Sequence, residues 1–171
     1  MMQQTMITPQ FKADSLIDQL RQGIGFAPSP RRADAAVLLA ITREDQPRVL
    51  LTRRASHMRH HAGEVSFPGG RREAGDTSNI VVALREAFEE TGLNPFQVEL
   101  LGELPSQRAK SGLWVKPIVG LIPPDVILVP QPDEIAEARF FDFDELPLIP
   151  PKGSIANSMI MQISQPKIRV D

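Results

Sequence analysis

The apolar positions in the first part of the chain predict one helix followed by three short strands. Between residues 8 and 22 the apolar side chains recur at helical spacing, at Ala13, Leu16, Ile17 and Leu20. Two apolar runs, residues 35–41 and 49–51, are joined by a short polar loop, which predicts a β-hairpin. Residues 65–67 predict a further strand, and Gly69 and Gly70 predict a turn that closes it.

The pattern changes to a helical period between Ser78 and Thr91. Val81, Leu84 and Phe88 recur at helical spacing and form an apolar stripe, with Ala87 beside it. We expect this stripe to dock against the core. Gly92 follows, and glycine is the usual residue just after a helix because it adopts left-handed backbone angles without a Cβ penalty.

Three further strands are predicted at residues 98–104, 113–122 and 138–143, and Pro123-Pro124 and Pro130 to Pro132 separate the last two. Strands around one central helix, without regular alternation of strand and helix, predict an α+β fold. We predict a single domain over residues 31–171, with a helix and linker in residues 1–30 packed on it. A brief helix is predicted near the end, carried by Ile155, Met159, Ile160 and Ile163.

Composition narrows the possible functions. The 171 residues include 19 Lys and Arg against 21 Asp and Glu, and this net charge of −2 argues against a nucleic-acid-binding protein. The absence of cysteine excludes disulfides, thiolate zinc sites and a cysteine nucleophile. Residues 1–12 lack a signal-peptide pattern, and the apolar run at residues 35–41 is too short to span a membrane. We therefore expect a cytoplasmic protein without nucleic-acid or membrane partners.

The candidate chemistry lies on the predicted helix over residues 78–91. Residues three and four apart on a helix are neighbours, so Glu86 faces both Glu89 and Glu90. Clustered carboxylates on a fixed helix suit hard divalent cations, above all Mg²⁺ or Mn²⁺. The alternative is an acidic, solvated helix surface. The preceding strand and the Gly69-Gly70 pair favour the metal hypothesis, because glycines permit close approach of the backbone to a ligand.

These residues resemble the signature of the Nudix hydrolases, G-x5-E-x7-R-E-U-x-E-E-x-G-U, where U is aliphatic. Gly70 supplies the first glycine, and residues 85–93 supply the second half, Arg-Glu-Ala-Phe-Glu-Glu-Thr-Gly-Leu. Asp76 stands where the family has glutamate, and one additional residue separates it from Arg85.

A second pattern lies upstream and looks like that of the coenzyme A branch of the family, L-L-T-x-R-[SA]-x3-R-x3-G-x3-F-P-G-G. Every specified position is filled, by Leu50, Leu51, Thr52, Arg54, Ala55, Arg59, Gly63, Phe67, Pro68, Gly69 and Gly70. That branch commonly carries the longer spacing and an aspartate in the loop. The two patterns together cover residues 50–93.

The resemblance implies a Nudix fold, a mixed β-sheet sandwiched between α-helices, and metal-dependent hydrolysis of a nucleoside diphosphate derivative. For the coenzyme A branch, the products would be 3′-phospho-AMP and 4′-phosphopantetheine. Glu86 and Glu90 would be the main metal ligands, with Glu89 and the Gly70 carbonyl as further ligands. Arg85 would brace the loop by pairing with Glu73 or Asp76.

Two carboxylates are candidates for activating the attacking water, Glu89 on the helix and Glu134 in a later acidic loop, and we favour Glu134. The alternative interpretation of that loop is a solvated surface segment without a catalytic role. Arg54 and Arg59 are candidate phosphate ligands, although surface ion pairs are an equal alternative. Gly69 and Gly70 are expected to contact substrate.

Other residues are assigned structural roles. The histidines at 57, 60 and 61 lack a nearby carboxylate cluster at ligand spacing, and Trp114 is expected in the core. We expect a small-molecule substrate and regard a homodimer as possible. The rival functions are hydrolysis of another diphosphate, such as NADH, ADP-ribose or a nucleoside triphosphate, and a non-catalytic Nudix-fold module that binds nucleotides.

Overall fold

The structure is a computed structural model that describes residues 32–60 and 62–142. The predictions for the N-terminal helix and linker, the end of the chain and His61 lie outside these residues. Within them lies one α-helix, α1 (Asn79–Thr91), and a 3₁₀ turn (Pro95–Gln97). The strands are β1 (Ala35–Thr42), β2 (Arg48–Arg54), β3 (Val65–Ser66), β4 (Gly69–Arg71), β5 (Glu99–Glu103), β6 (Gln107–Arg108), β7 (Trp114–Ile122) and β8 (Ile135–Asp142).

All eight of these strands belong to one mixed sheet, which confirms the predicted α+β class. The central order is β3-β2-β1-β7-β5, with β4 paired to β1, β6 to β7 and β8 to β2. Only β1 and β7 run parallel, and they pair along the full length of β1. The β1–β2 hairpin is present, but its register contains a single pair, Ile41 with Val49, and β2 pairs mainly with β8.

Apolar side chains are buried on both faces of the sheet, and α1 packs on one of them. The residues of β1 alternate between the faces, as the two-residue period of a strand requires. The face under α1 contains Ala36, Leu38, Ala40, Leu50, Ile118 and Ile122, together with Val82, Ala83, Ala87 and Leu93. The other face contains Leu39, Ile41, Val49, Leu51, Phe67, Leu101, Val119 and Leu121.

The stripe predicted to dock α1 is wrong for Val81 and Phe88, while Leu84 is partly buried and packs against the core. Val81 is 37% exposed and Phe88 is 54% exposed, whereas Val82, Ala83 and Ala87 are buried. The small alanine side chains allow the helix backbone to approach the sheet closely, and that contact decides which face of the helix is inward. With this face of α1 turned toward the sheet, Glu90 also points inward and is only 7% exposed.

Two other predictions are corrected. Gly69 and Gly70 do not form a turn, because they lie in β4 and pair with Val37 and Ala36 of β1. Trp114 is 46% exposed at the start of β7, where the Arg108 guanidinium lies over its ring, 5.6 Å from the centroid. No helix in the described part of the chain is long and apolar enough to cross a membrane.

Candidate functional site

Local signals at both ends fix the position of α1. Ser78 precedes the helix with extended backbone, and its hydroxyl accepts a hydrogen bond from the Val81 amide at 3.1 Å. Gly92 follows the helix at φ 75°, and its amide donates to the Phe88 carbonyl. Because both ends are capped, the side chains of α1 are presented at defined positions along β4.

The acidic edge of α1 lies directly against the two glycines of β4. The Gly69 amide donates to Glu90 Oε1 at 3.1 Å. A Cβ atom at Gly70 would lie 2.5 Å from Cδ of Glu86, and one at Gly69 would lie 2.7 Å from Cα of Val37. Real Cβ atoms do not approach other atoms this closely, so a side chain at Gly69 would displace the β1 backbone and one at Gly70 would displace the Glu86 carboxylate. Gly69 therefore marks a close approach of β4 to β1, and Gly70 marks a close approach of β4 to α1.

This burial changes the protonation of the two inner carboxylates. Burial raises the pKa of Glu90 to about 8; Glu86 and Glu134 also raise it, while the Gly69 amide and the Arg54 guanidinium lower it. Burial likewise raises the pKa of Glu86, against the lowering effect of Arg85. Burial destabilises the charged forms of both carboxylates, and a cation bound between them would stabilise those charged forms.

Arg85 joins the loop before α1 to the helix. Its guanidinium donates two hydrogen bonds to the Asp76 carboxylate, from Nε at 3.0 Å and from Nη2 at 2.8 Å, and a third to the Arg71 carbonyl. The pairing with Arg85 holds the pKa of Asp76 below its ordinary value. The Arg85–Asp76 contact expected from the sequence is therefore present, and Glu73 is also within 3.5 Å of Arg85 Nη1.

Glu89 lies on the exposed side of this acidic edge. Its Oε1 is 3.2 Å from Nη1 of Arg85, and the same nitrogen is 3.5 Å from Glu86 Oε2. Arg85 thus contacts both the loop carboxylates and the helix carboxylates.

A buried anchor that the sequence analysis missed holds the same loop from the other side. The Asn79 side-chain oxygen accepts hydrogen bonds from the Ala33 amide at 2.9 Å and from Arg72 Nη2 at 2.7 Å. Arg72 also donates to the carbonyls of Ala33 and Asp76. The sequence offers no signal for this network, because an asparagine after a capping serine is typical of any helix start.

The later acidic loop reaches the C-terminal end of α1. The amides of Val129 and Gln131 donate to the carbonyls of Thr91 and Glu90, which are among the helix carbonyls without an intrahelical partner. The Ala55 amide, just after β2, donates to the Glu134 carbonyl at 2.7 Å. Glu134 is exposed and raises the pKa of both Glu86 and Glu90, so its charge faces them.

The basic candidates are placed differently from one another. Arg54 ends β2, is half-buried and lowers the pKa of Glu90; its Nε donates to the His60 carbonyl at 2.6 Å. Arg59 and the histidines His57 and His60 are exposed on the turn that follows β2. The structure therefore brings Arg54 to the carboxylates, whereas Arg59 lies on the adjacent turn.

The donor set fits Mg²⁺ or Mn²⁺. In residues 32–60 and 62–142 no group of three or more histidine, aspartate or glutamate side chains forms a complete metal site. Magnesium, however, is commonly bound by one or two carboxylates together with water and substrate phosphates. Glu86 and Glu90 supply two such carboxylates, packed against a strand where no side chain intervenes.

The sequence of residues 31–162 matches the family model of the NUDIX domain. The uncharacterized Nudix hydrolase NudL of Enterobacter sp. (strain 638) is 49% identical over 105 residues, which are 61% of this chain and 55% of NudL. The protein of the same name from Escherichia coli (strain K12) is 48% identical over 102 residues, 60% of this chain and 53% of the relative. The chain thus spans just over half the length of these curated relatives.

Solved structures resemble this one in fold. A Nudix hydrolase from M. smegmatis, RenU, superposes with a TM-score of 0.66 at 23% identity, covering 82% of this chain and 88% of RenU. An Ap4A hydrolase binary complex from C. elegans gives a TM-score of 0.65 at 16% identity, covering 76% of this chain and 95% of that protein. The NUDIX domain of NrtR from Shewanella oneidensis, complexed with ADP ribose, gives a TM-score of 0.59 at 20% identity. The match covers 84% of this chain and 91% of the NrtR domain.

Proposed function

This chain belongs to the NUDIX domain family, and we propose on that basis that it is an enzyme that hydrolyses the diphosphate bond of a nucleoside diphosphate derivative. Within that class we propose coenzyme A, or its acylated or oxidised derivatives, as the substrate. The products would be 3′-phospho-AMP and 4′-phosphopantetheine.

One observation carries the hydrolase proposal: the half-buried Glu86 and the buried Glu90 lie against the side-chain-free backbone of Gly70 and Gly69. Glu86 and Glu90 would hold Mg²⁺ or Mn²⁺, with Glu89 and the Gly70 carbonyl as further ligands. Such an ion, when bound, neutralises diphosphate charge and lowers the pKa of water.

Glu134 is our candidate for accepting the proton of the attacking water. It is exposed, its charge faces both Glu86 and Glu90, and its backbone is tied to the end of β2 through Ala55. The alternative, Glu89, already accepts a hydrogen bond from Arg85 Nη1 at 3.2 Å, so one of its oxygens is occupied by the guanidinium. Arg85 would act by holding the loop and the helix together.

The coenzyme A assignment rests on the upstream pattern over residues 50–70. Several of its residues shape the site: Arg54 faces Glu90, Ala55 binds the Glu134 carbonyl, and Gly69 and Gly70 contact the two carboxylates. Arg54 and Arg59 would bind phosphate groups, since guanidinium suits bidentate contact with them. The 3′-phosphate of coenzyme A distinguishes it from NADH and ADP-ribose, so these two arginines are the basis for discrimination.

The direct test incubates the purified protein with coenzyme A and Mg²⁺ or Mn²⁺ and identifies the products by mass spectrometry. We expect metal-dependent formation of the two products, reduced at least a hundredfold in Glu90→Gln. Asp45→Asn is the matched control, because Asp45 is an exposed carboxylate in the β1–β2 loop and lies outside the site.

The other outcomes distinguish the rival functions. Cleavage of NADH, ADP-ribose or a nucleoside triphosphate, with coenzyme A left intact, would retain the Nudix hydrolase assignment and overturn the substrate. Metal-dependent binding of a nucleotide without cleavage of any diphosphate would favour the non-catalytic module.

A further inference from the structure

The guanidinium of Arg72 binds three separate segments of the chain. Its Nε donates to the Ala33 carbonyl at 2.9 Å, its Nη1 to the Asp76 carbonyl at 3.2 Å and its Nη2 to the Asn79 side-chain oxygen at 2.7 Å. Ala33 precedes β1, Asp76 lies in the loop before α1, and Asn79 is the first residue of α1. The Arg72 side chain therefore ties the start of the sheet, the loop and the helix together.

Asp76 is consequently held from two sides. Its carbonyl accepts from Arg72, and its carboxylate accepts two hydrogen bonds from Arg85. Nη1 of Arg85 is also 3.2 Å from a carboxylate oxygen of Glu89 and 3.5 Å from one of Glu86. Arg85 is thus shared between the loop and the carboxylates proposed to bind metal, and Arg72 fixes the loop side of this arrangement.

We propose that Arg72 is a positioning residue for the metal site. By holding Asp76 in place, it keeps Nε and Nη2 of Arg85 bound to the loop. Without this support, the Arg85 guanidinium would pair more closely with Glu86 and Glu89 and would compete with a divalent cation for their oxygens. This inference rests on the proposed function, because it concerns the same carboxylates.

The proposal predicts the opposite of what the Arg72 charge alone would do. Removing a positive charge near a cation site strengthens cation binding, because like charges repel. The Arg72 charge is close enough to the loop to lower the pKa of Asp76. If Arg72 acts by positioning, its loss weakens metal binding even though a positive charge has been removed. The direction of the change therefore separates positioning from electrostatics.

The test measures metal binding directly, in the full-length protein without substrate. Mn²⁺ is the probe, and its free concentration is read from its electron paramagnetic resonance signal. We expect Arg72→Met to raise the Mn²⁺ dissociation constant by about tenfold or more, as is typical when a residue that orients metal ligands is lost. The matched control is Arg43→Met, which removes the same charge from an exposed arginine that pairs with Glu99 just after the other end of β1. This control should bind Mn²⁺ as the parent does.

Steady-state kinetics give a second readout, with the substrate that the parent hydrolyses. Competition from a guanidinium is overcome by more metal, so Arg72→Met should need about tenfold more Mn²⁺ for its half-maximal rate. At saturating Mn²⁺ it should regain most of the parental kcat, with an unchanged KM for the substrate. A merely structural role would lower the rate at every Mn²⁺ concentration.

Two further variants keep the inference testable if Arg72→Met does not fold. Arg72→Lys retains the charge, but its single nitrogen does not reproduce the planar fork that reaches three acceptors. Asn79→Ala removes one of these acceptors. Both should raise the Mn²⁺ dissociation constant. Val119→Ala, in the core on the face of the sheet away from α1, controls for a general loss of stability, which is measured by thermal unfolding.

The possible failures are distinguishable. Unchanged or tighter Mn²⁺ binding in Arg72→Met, with weaker binding in Glu86→Gln, would overturn the inference and leave the proposed function intact. An equal loss of Mn²⁺ binding in Val119→Ala would also overturn it, because reduced stability would then account for the effect. If the parent itself binds no Mn²⁺, the proposed function fails, and the inference that rests on it fails as well.

Discussion

At the scale of single residues, Gly70 is the backbone position that most directly limits where the Glu86 carboxylate can lie. Gly70 has no Cβ, and a Cβ added at this position would lie 2.5 Å from Cδ of Glu86. The family signature contains a glycine here, and the structure supplies a physical reason for it: any other residue would displace a carboxylate proposed to bind metal.

We expect Gly70→Ala to reduce diphosphatase activity at least a hundredfold and to weaken metal binding. The measurement is the initial rate as a function of Mg²⁺ concentration. Gly112→Ala serves as the control, because Gly112 has φ 91° and an alanine there is strained by about 1 kcal/mol, while its nearest other atom belongs to Arg108, away from the carboxylates. Equal losses in both variants would show that backbone strain, not the Glu86 contact, is responsible.

Glu90 provides a pH-dependent prediction for the metal-free protein. Its pKa is raised from 4.5 to about 8 in the folded state, so between these values the folded protein holds a proton that the unfolded chain has lost. The free energy of unfolding therefore decreases as pH rises through this range. Glu90→Gln removes the titration and keeps an oxygen for the Gly69 amide. We expect the variant to be more stable than the parent at pH 8, by about 2 kcal/mol or more given roughly 1.4 kcal/mol per pKa unit.

Urea unfolding at pH 5 and pH 8 in the presence of a chelator measures this effect. The difference between variant and parent should be small at pH 5 and larger at pH 8. A variant less stable than the parent at pH 8 would contradict the prediction, and would mean that the buried carboxylate stabilises the fold. Stability gained by removing a residue from a site is a common trade-off in functional sites.

At the scale of elements, the loop before α1 explains how the departures from the Nudix signature are accommodated. Asp76 replaces the expected glutamate, and the loop is one residue longer, yet Asp76 makes two hydrogen bonds to Arg85. Its carboxylate also accepts from the Glu73 amide at 2.8 Å. The longer loop thus places the Asp76 carboxylate against the Arg85 guanidinium.

We expect Asp76→Asn to lower the free energy of unfolding by about 2 kcal/mol at pH 7, because it removes a charge-assisted pair from a buried position. Since the pKa of Asp76 is depressed in the folded state, the contribution is present above the ordinary aspartate pKa and is lost as pH falls through the depressed value. The comparison is thermal or urea unfolding of parent and variant from pH 3 to pH 7. A difference that stays constant over this range would show that the ion pair is not its source.

The helix shows where prediction from sequence succeeds and where it fails. Its bounds followed from Ser78 and Gly92, because capping is local chemistry. Its inward face did not, because Val81 and Phe88 are larger apolar side chains than Ala83 and Ala87, which dock. The choice between the stripes depends on how closely the helix approaches the sheet, and the alanines and the β4 glycines determine that distance.

At the scale of the whole molecule, the same division holds. The α+β class and most strand positions could be predicted from local patterns. The parallel pairing of β1 with β7 and the placement of β4 beside β1 could not, because they join residues distant in sequence. Similarly, the motif identified Glu86, Glu89 and Glu90, but the approach of Glu134 and Arg54 depends on the loops that close around the end of α1.

The last prediction concerns the fold and the metal together. Any ligand that binds only the folded state stabilises it, by about 2.7 kcal/mol when its concentration is a hundred times the dissociation constant. We expect Mg²⁺ or Mn²⁺ to raise the thermal midpoint of the parent protein by several degrees at pH 8, and a chelator to reverse the shift. Glu86→Gln should lose most of the shift, whereas Asp45→Asn should retain it. A metal-induced shift of equal size in Glu86→Gln would place the binding site elsewhere, because Glu86 and Glu90 are the two carboxylates packed against β4.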